Sequence, residues 1–428
     1  MEIEKLYELY KKFPRVQTDS RKLAAGEIFF ALKGPHFNGN RFAAAAIENG
    51  AAGVVIDEPI EIEGENIFLV NDVLQCLQQL ALHHRNQFQI PFLAITGSNG
   101  KTTTKELVHA VLSSRYKTYT TKGNLNNHIG VPLTLLSIGM DAEMAIIEMG
   151  ANHQKEIASY CEIARPTHGI ITNCGKAHME GFGGVEGIRK GKGELFDFIS
   201  IHKGTAFVNC ELEYLLGMSK SIANIVWYGQ PKGNFKSTVF QNEPLLALEI
   251  ENPNWGKQRI FTRLAGAYNK PNIDVAIAVG DYFKIDFGTI RNAIEAYIPD
   301  NARSQLIQKD SNTIILDAYN ANPNSMHAAI DNLIKQPGHG KVFLLGAMME
   351  LGEDSIKEHQ EIIDLLVFHK MKQVVLVGGD FEKTSHPFRF FKTSDEACEW
   401  LKKNLPSHAM VLIKGSRSIK MEKLLEAF

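Results

Sequence analysis

The chain of 428 residues has few cysteines and no long apolar run. Its five cysteines are scattered and form no C-x-x-C pair, which argues against a disulfide framework or a zinc site and indicates free thiols in a reducing compartment. No apolar run reaches the roughly 18 residues that a membrane-spanning helix needs. The N-terminus is amphipathic and carries acidic residues, unlike a targeting peptide. We therefore expect a cytoplasmic protein without membrane insertion.

The chain also lacks an excess of charge of either sign. Lysine and arginine total 46 against 48 for aspartate and glutamate, a formal net charge of -2, and no block of like charges forms a basic arm. Such a chain has no field that attracts nucleic acid, so we expect no nucleic-acid partner. Its length exceeds one ordinary hydrophobic core, which predicts two or three domains.

The most informative segment present is Thr96–Thr104, which reads TGSNGKTTT and follows the apolar run Phe92–Ile95. Glycines let successive backbone N–H groups point at a phosphate, Lys101 supplies a positive charge, and Thr102 offers a hydroxyl to Mg²⁺. Ile95 stands where the common phosphate-loop pattern has its first glycine, which favours a variant of that loop. The alternative is a glycine turn between a strand and a helix.

The order of the elements predicts an α/β protein with three domains. We expect a small N-terminal α/β domain (1–88), a central parallel sheet resembling P-loop ATPases (89–298) and a C-terminal Rossmann-like domain (299–428) without a G-x-G-x-x-G turn. An antiparallel insertion is expected at about 226–263. The predicted strands are Glu27–Leu32, Gly53–Asp57, Phe92–Thr96, Met144–Met149, Gly169–Asn173, Thr205–Asn209, Thr313–Leu316, Val342–Leu345, Val374–Val377 and Met410–Ile413, and the predicted helices include Arg41–Asn49 and Thr102–Ser114.

Three further residues follow the phosphate loop at or beyond strand ends. Glu148 ends a strand and is a candidate Mg²⁺ ligand, although an ordinary strand-end acid is the alternative. His178 lies in the loop after the next strand, where a solvated histidine is the simpler interpretation. Lys192 lies in a predicted helix with two glycines, and residues alone favour a solvated basic face.

Together these segments resemble the Mur ligase family of bacterial cell-wall synthesis over essentially the whole chain. The matching motifs are Asp19–Lys22 with Gly26–Gly34, Gly97–Thr103, Gly123–Asn127 with Gly130–Pro132, His178–Gly183, Lys192–Glu194, Asp317–Met326, Leu345–Gly352 and Lys414–Arg417. The last three favour the branch that adds D-alanyl-D-alanine over the branch that adds the third amino acid. The Asp19–Lys22 motif disfavours a folylpolyglutamate synthase. Tyr268 replaces a usual histidine and Ala347 a frequent aspartate.

The resemblance implies an ATP-dependent amide ligase that joins D-Ala-D-Ala to UDP-N-acetylmuramoyl-tripeptide through an acyl phosphate. We expect a monomer. ATP would contact Gly97, Ser98, Asn99, Gly100, Lys101, Thr102, Thr103, Asn269, Asn272, Arg303 and Asp317. The UDP substrate would contact Asp19, Ser20, Arg21, Asn124, Asn126 and Asn127, and D-Ala-D-Ala would contact Tyr319, Asn320 and Asn322.

The resemblance also implies the catalytic residues Lys101, Glu148, His178 and Lys192 and two Mg²⁺ ions. Thr102 and Glu148 would hold one ion. His178 would help hold the second, with Lys192 carbamylated to N6-carboxylysine. A nucleotide-binding regulatory module without catalysis is the alternative from another class, and it predicts that these ligands are missing.

Overall fold

The computed structural model describes residues 3–61, 66–300, 302–338 and 340–428, and its sheets confirm the predicted α/β class with three domains. The N-terminal unit has a four-stranded parallel sheet in the order β1-β2-β5-β6 and a short β3-β4 hairpin. Its elements are α1 (Ile3–Lys12), β1 (Val16–Gln17), β2 (Ile28–Phe30), β3 (Lys33–Gly34), β4 (Phe37–Asn38), α2 (Ala43–Glu48), β5 (Gly53–Ile56), β6 (Ile67–Leu69) and α3 (Val73–Arg85).

The central unit is built on a six-stranded parallel sheet in the order β12-β11-β10-β7-β9-β8. Its elements are β7 (Phe92–Thr96), α4 (Lys101–Ser113), β8 (Thr118–Thr120), α5 (Gly130–Leu136), β9 (Met144–Glu148), α6 (Glu156–Ala164), β10 (His168–Ile171), α7 (Met179–Phe182), α8 (Val185–Ile201), β11 (Thr205–Asn209), α9 (Glu213–Met218) and β12 (Asn224–Tyr228). An antiparallel sheet of β13 (Lys236–Gln241), β14 (Ala247–Asn252) and β15 (Gly256–Phe261) follows, then α10 (Lys270–Tyr282) and α11 (Phe287–Ala296).

The C-terminal unit has a six-stranded sheet in the order β16-β17-β21-β18-β19-β20, in which the edge strand β16 is antiparallel. Its elements are β16 (Gln305–Lys309), β17 (Asn312–Asp317), α12 (Pro323–Lys335), β18 (Lys341–Gly346), α13 (Ser355–Phe368), β19 (Gln373–Val377), β20 (Arg389–Phe391), α14 (Ser394–Lys402) and β21 (Met410–Lys414). Within the described ranges, no helix has the length and apolar character needed to cross a bilayer.

Both faces of the central sheet are buried, which explains its continuous apolar strands. All five residues of β7 are buried. Leu93 and Ile95 face one core, formed with α4 and α10, whereas Phe92 and Ala94 face the other. This second core continues into α1 and α3 of the N-terminal unit, because α3 packs on α5 and α6. The carboxyl ends of the strands are left free to form a site.

The prediction of an antiparallel insertion from residue 226 is wrong at its beginning. Asn224–Tyr228 forms β12, which pairs in parallel with β11 at the edge of the central sheet, and the antiparallel strands begin at Lys236. The half-exposed position of this edge strand gives its sequence a mixed polar and apolar character. The alternation therefore indicated an exposed face rather than an antiparallel pairing.

Candidate active site

A cleft of about 850 Å³ opens where the carboxyl ends of the central strands face the C-terminal unit. Many of the predicted site residues line it. They are Ser98, Asn99, Gly100, Lys101, Thr102, Thr103, Asn124, Asn126, Asn127, Glu148, His178, Asn269, Asn272, Arg303, Asp317, Tyr319, Asn320 and Asn322. The cleft thus brings together residues that are more than 200 positions apart in the sequence.

The phosphate loop needs glycine at two positions. Gly100 has φ +79° immediately before α4, and a Cβ there would lie 2.6 Å from Asn272 Oδ1. Gly97 has φ +146°, and a Cβ there would lie 2.0 Å from Thr172 Oγ1. Ile95 is fully buried inside β7, so the first glycine of the common pattern has no counterpart in this turn. The loop delivers backbone N–H groups at the N-terminus of a 13-residue helix, a favourable environment for an anion.

The side chain of Lys101 curls back onto the loop that precedes it. Its Nζ donates to the carbonyl oxygens of Gly97 at 2.6 Å and Ser98 at 3.2 Å. The pKa of Lys101 is lowered to about 8, mainly by burial; the charge of Glu148 opposes this shift and that of Arg303 adds to it. A bound phosphate would place a negative charge beside this amine and so favour its protonated form.

Thr102, Glu148 and Asn126 form a hydrogen-bonded group at the end of β9. Glu148 is 1% exposed and accepts from Thr102 Oγ1 at 2.9 and 3.1 Å and from Asn126 Nδ2 at 2.8 Å. Its backbone N–H donates to Thr121 Oγ1. A hydroxyl and a carboxylate at this distance are hard oxygen donors of the kind that Mg²⁺ accepts. Asn126, predicted to contact the UDP substrate, here orients the Glu148 carboxylate.

His178 contacts the C-terminal unit rather than Glu148. Its Nδ1 lies against the carboxylate of Glu350, and this close contact lowers the pKa of Glu350. The residue has φ +54° and directly precedes α7. Within the described residues, no group of three or more His, Cys, Asp or Glu side chains is arranged as a metal site.

Lys192 is buried behind the cleft wall, on α8. It is 1% exposed, donates to the carbonyl of Ala151 at 3.1 Å, and lies 4.8 Å from the ring centroid of Phe182. Burial lowers its pKa to about 7, and the charge of Lys101 contributes. Gly191 allows this packing, since a Cβ there would lie 2.5 Å from the Phe182 ring. In the described part of the chain, Lys192 has no ion-pair partner.

Asn269 and Asn272, predicted to contact ATP, belong to a chain of side-chain hydrogen bonds. Asn272 Nδ2 donates to Asn269 Oδ1 at 3.0 Å, and Asn272 Oδ1 accepts from Thr104 Oγ1 at 3.1 Å. Beside them, the hydroxyl of Tyr268 is 3.0 Å from Ser304 Oγ, at the start of the C-terminal unit. A tyrosine at this position therefore links the central and C-terminal units through its hydroxyl.

The C-terminal side of the cleft is fixed by Asp317 and Lys414. The buried Lys414 donates to Asp317 Oδ2 at 2.6 Å and to the carbonyl of Asn320 at 3.2 Å, while Asp317 Oδ1 accepts from the Ser304 N–H at 3.2 Å. Next to it, the Arg303 guanidinium lies 3.5 Å from the ring centroid of Tyr319. These bonds set the orientation of the Asp317 carboxylate.

Asn322 has a structural role besides lining the cleft. Its side chain caps α12 by accepting from the Ser325 N–H at 3.0 Å. Its amide also pairs with Asn99 of the phosphate loop, at 2.7 Å in one direction and 3.3 Å in the other. The phosphate loop and the C-terminal unit are thus in direct contact.

The predicted UDP-substrate residues are divided between two places. Asn124, Asn126 and Asn127 line the cleft, and Asn127 Oδ1 accepts from the Gly130 N–H at 2.8 Å at the start of α5. The segment Asp19–Arg21 lies outside the cleft lining, in the N-terminal unit. There Asp19 pairs with Arg21 through two side-chain hydrogen bonds of 2.9 Å, beside Ser20.

Sequence reasoning assigned no role to Lys414, Glu350 or Tyr268. Lys414 could have been found from strand ends, since it is the last residue of β21 and pairs in register with Asp317, the last residue of β17. The departure at Ala347 also has a structural basis. This residue is fully buried, so an aspartate there would be cut off from solvent.

Comparison with known proteins gives one family along the chain. The Mur ligase family catalytic domain matches residues 12–85, the Mur ligase middle domain matches 95–280, and the Mur ligase glutamate ligase domain matches 302–417. The UDP-N-acetylmuramoyl-tripeptide–D-alanyl-D-alanine ligase of Bacillus subtilis is 33% identical, over 96% of this chain and 92% of the relative.

Solved structures give the same result. The crystal structure of MurF from Acinetobacter baumannii has a TM-score of 0.86 at 32% identity and covers 96% of this chain and 92% of its own. MurF ligase from Thermotoga maritima in complex with ADP has a TM-score of 0.86 at 26% identity, covering 97% and 96%.

Proposed function

Because the chain belongs to the Mur ligase family, we propose that it is the ATP-dependent ligase that joins D-Ala-D-Ala to UDP-N-acetylmuramoyl-tripeptide in peptidoglycan precursor synthesis. The observation that carries the proposal is the match along almost the full length to relatives of that name, combined with a phosphate loop that faces a second unit across one cleft. In this proposal, residues 1–88 bind the UDP-muramyl substrate, 89–298 bind ATP, and 299–428 bind the incoming dipeptide.

The reaction needs the tripeptide carboxylate to be activated. A carboxylate oxygen attacks the γ-phosphorus of ATP, ADP leaves, and an acyl phosphate forms. The amine of D-Ala-D-Ala then attacks the acyl carbon, loses a proton, and displaces inorganic phosphate. Such chemistry depends mainly on positioning and on neutralising charge.

The phosphate loop performs the first of these tasks. Its N–H groups and the N-terminus of α4 hold the phosphates, and the Lys101 amine exchanges the Gly97 and Ser98 carbonyls for phosphate oxygens. Asn269 and Asn272 border the nucleotide, while Arg303 and Asp317 approach it from the C-terminal unit. Tyr319 and Asn320 border the dipeptide.

Thr102 and Glu148 fit a Mg²⁺ ion, because both supply oxygen and already lie within hydrogen-bonding distance of each other. When bound, Mg²⁺ would neutralise charge on the phosphate oxygens. Asn126 keeps the Glu148 carboxylate turned toward Thr102. The second ion and its ligand His178 stay predictions, since His178 contacts Glu350 in this arrangement.

The surroundings of Lys192 support its carbamylation. A lysine amine reacts with CO₂ when it is neutral, and the pKa of about 7 keeps a large neutral fraction near physiological pH. The amine is a buried group near the like charge of Lys101 and has no carboxylate partner among the described residues. A carbamate on Lys192 carries a negative charge, so it would attract the Lys101 amine instead of repelling it.

An assay of product mass tests the proposed function. Purified protein receives ATP, Mg²⁺ and D-Ala-D-Ala with UDP-muramyl tripeptides that carry either diaminopimelate or lysine. The expected result is one pentapeptide product per phosphate released. Product from the UDP-muramyl dipeptide and a free third amino acid, with none from the tripeptide, would instead assign the chain to the neighbouring branch of the family.

A further inference from the structure

The loop between β10 and α7 joins the phosphate loop to the C-terminal unit. On one side, Ser98 Oγ donates to the carbonyl of Gly175 at 2.7 Å. On the other, Lys176 donates from its backbone N–H to Asn324 Oδ1 at 2.7 Å and from Nζ to Glu358 Oε1 at 2.6 Å. A Cβ on Gly175 would lie 3.0 Å from Asn324 Oδ1, so the two units are in close contact here.

The ion pair across this contact contains a buried carboxylate. The side chain of Glu358 on α13 is 3% exposed, that of Lys176 is 38% exposed, and Glu358 Oε2 has no hydrogen-bond partner. The hydrogen bond to Glu358 raises the pKa of Lys176, and the charges of Glu361 and Asp354 contribute. In the part of the chain that the structure describes, Lys176 is the cation that pairs with Glu358. Without it, docking would bury an uncompensated charge.

The residue after Glu358 fixes the second loop of the same contact. His359 is fully buried, its Nε2 accepts from the Met348 N–H at 3.0 Å, and its Nδ1 lies 2.7 Å from the Ser355 carbonyl. The Met348 loop also carries Glu350, which contacts His178. Glu358 and His359, adjacent residues of α13, therefore contact two loops: Glu358 the Lys176 loop of the central unit, and His359 the Met348 loop of the C-terminal unit.

We propose that Lys176 and Glu358 form a latch, an ion pair that holds the C-terminal unit over the phosphate loop in the arrangement seen in this structure. This inference rests on the proposed ligase function. Neither side chain lines the cleft, so both are positioning residues. The latch holds the dipeptide side of the cleft, with Tyr319 and Asn320, at its working distance from the acyl phosphate, and it keeps water from that intermediate.

The test compares Lys176→Met, Glu358→Gln and the double exchange Lys176→Glu/Glu358→Lys with the wild-type protein. For Lys176→Met we expect KM for D-Ala-D-Ala to rise about fivefold or more, a typical coupling between sites, with ADP affinity changed less than about twofold. The ratio of phosphate released to amide bonds formed should rise above one. The double exchange should recover most of the loss because it restores an ion pair of reversed polarity.

Small-angle scattering with ADP and substrate supplies a readout that does not depend on turnover. The Lys176→Met protein should have a larger radius of gyration than the wild type, and the Glu358→Gln protein should show the same increase. The matched control is Lys402→Met, which removes an exposed pair with Glu399 inside the C-terminal unit and should change nothing.

An unchanged KM, a phosphate-to-amide ratio of one and an unchanged scattering profile in both single variants would overturn the latch. A purely structural role predicts a lower kcat and lower stability without excess phosphate release, and no recovery in the double exchange. If the wild type forms no amide product, the proposed function fails, and the scattering comparison alone decides whether the latch exists.

Discussion

Replacing Lys192 by methionine should make the free protein more stable while removing its activity. The pKa of Lys192 is about 7 in the folded chain against 10.5 for the unperturbed group, so folding with this amine costs up to about 5 kcal/mol at low pH, at about 1.4 kcal/mol per pKa unit. Methionine fills a similar volume without a charge. The lost hydrogen bond to Ala151 offsets about 1 to 2 kcal/mol of this gain.

The gain from Lys192→Met depends on pH in a defined direction. Between pH 7 and 10.5 the unfolded chain binds a proton at Lys192 that the folded chain does not, so wild-type stability rises with pH through this window. The variant has no titrating group at position 192 and therefore lacks this pH dependence. Its advantage should therefore be about 3 kcal/mol below pH 7 and fall by about 1.4 kcal/mol per pH unit above it. Above pH 10.5 it should reverse to a deficit of about 1 to 2 kcal/mol, the value of the lost hydrogen bond.

Urea denaturation of both proteins in CO₂-depleted buffer measures this difference, and Lys190→Met, an exposed position on the same helix, is the matched control. Ligase activity of Lys192→Met should fall at least about 100-fold, as expected when a charge-stabilising group is lost. A variant that is less stable than the wild type at every pH would refute the burial argument. Retained activity would refute the proposed role.

Three further predictions follow from the site and the core. Tyr268→Phe keeps the ring but loses the hydrogen bond to Ser304, which is worth about 1 kcal/mol. We therefore expect KM for D-Ala-D-Ala to rise about fivefold in steady-state assays, while calorimetry shows little change in ADP affinity. An equal weakening of dipeptide and ADP binding would contradict a linking role. Glu148→Gln should lower Mg²⁺-dependent phosphate release at least about 100-fold and leave metal-free ADP binding in place; near-normal turnover would exclude Glu148 as a ligand. Burial lowers the pKa of His168 to about 4, so the free energy of unfolding should be at its full value above pH 6.5 and fall by about 3 kcal/mol as the pH falls toward 4. Urea denaturation should show this pH dependence in the wild type and not in His168→Phe. Equal pH dependence in the two proteins would refute the prediction.

The sequence predicts the central unit well because its strands are buried on both faces. Apolar runs such as Phe92–Thr96 and Thr205–Asn209 match the observed strands residue for residue. The ends of such strands meet at one edge, which is why Lys101, Thr102 and Glu148 could be expected to lie close together. The structure brings these three to one cleft.

Contacts between the units could not be predicted in this way. The pairs Lys176–Glu358, His178–Glu350 and Asn99–Asn322 join positions about 170 to 220 residues apart, and no spacing rule relates them. They depend on how the central and C-terminal sheets dock on each other. The contact between His178 and Glu350 could not be predicted from strand ends, because such a rule considers one sheet at a time.

The most direct test of the account follows an oxygen atom. UDP-muramyl tripeptide with ¹⁸O in the carboxylate that is to be activated is incubated with the protein, ATP, Mg²⁺ and D-Ala-D-Ala, and the released phosphate is analysed by mass. An acyl phosphate formed in the cleft predicts that one ¹⁸O atom passes to each phosphate that accompanies an amide bond. Phosphate that carries no ¹⁸O although the amide product forms, with the displaced carboxylate oxygen found in water instead, would contradict the central claim.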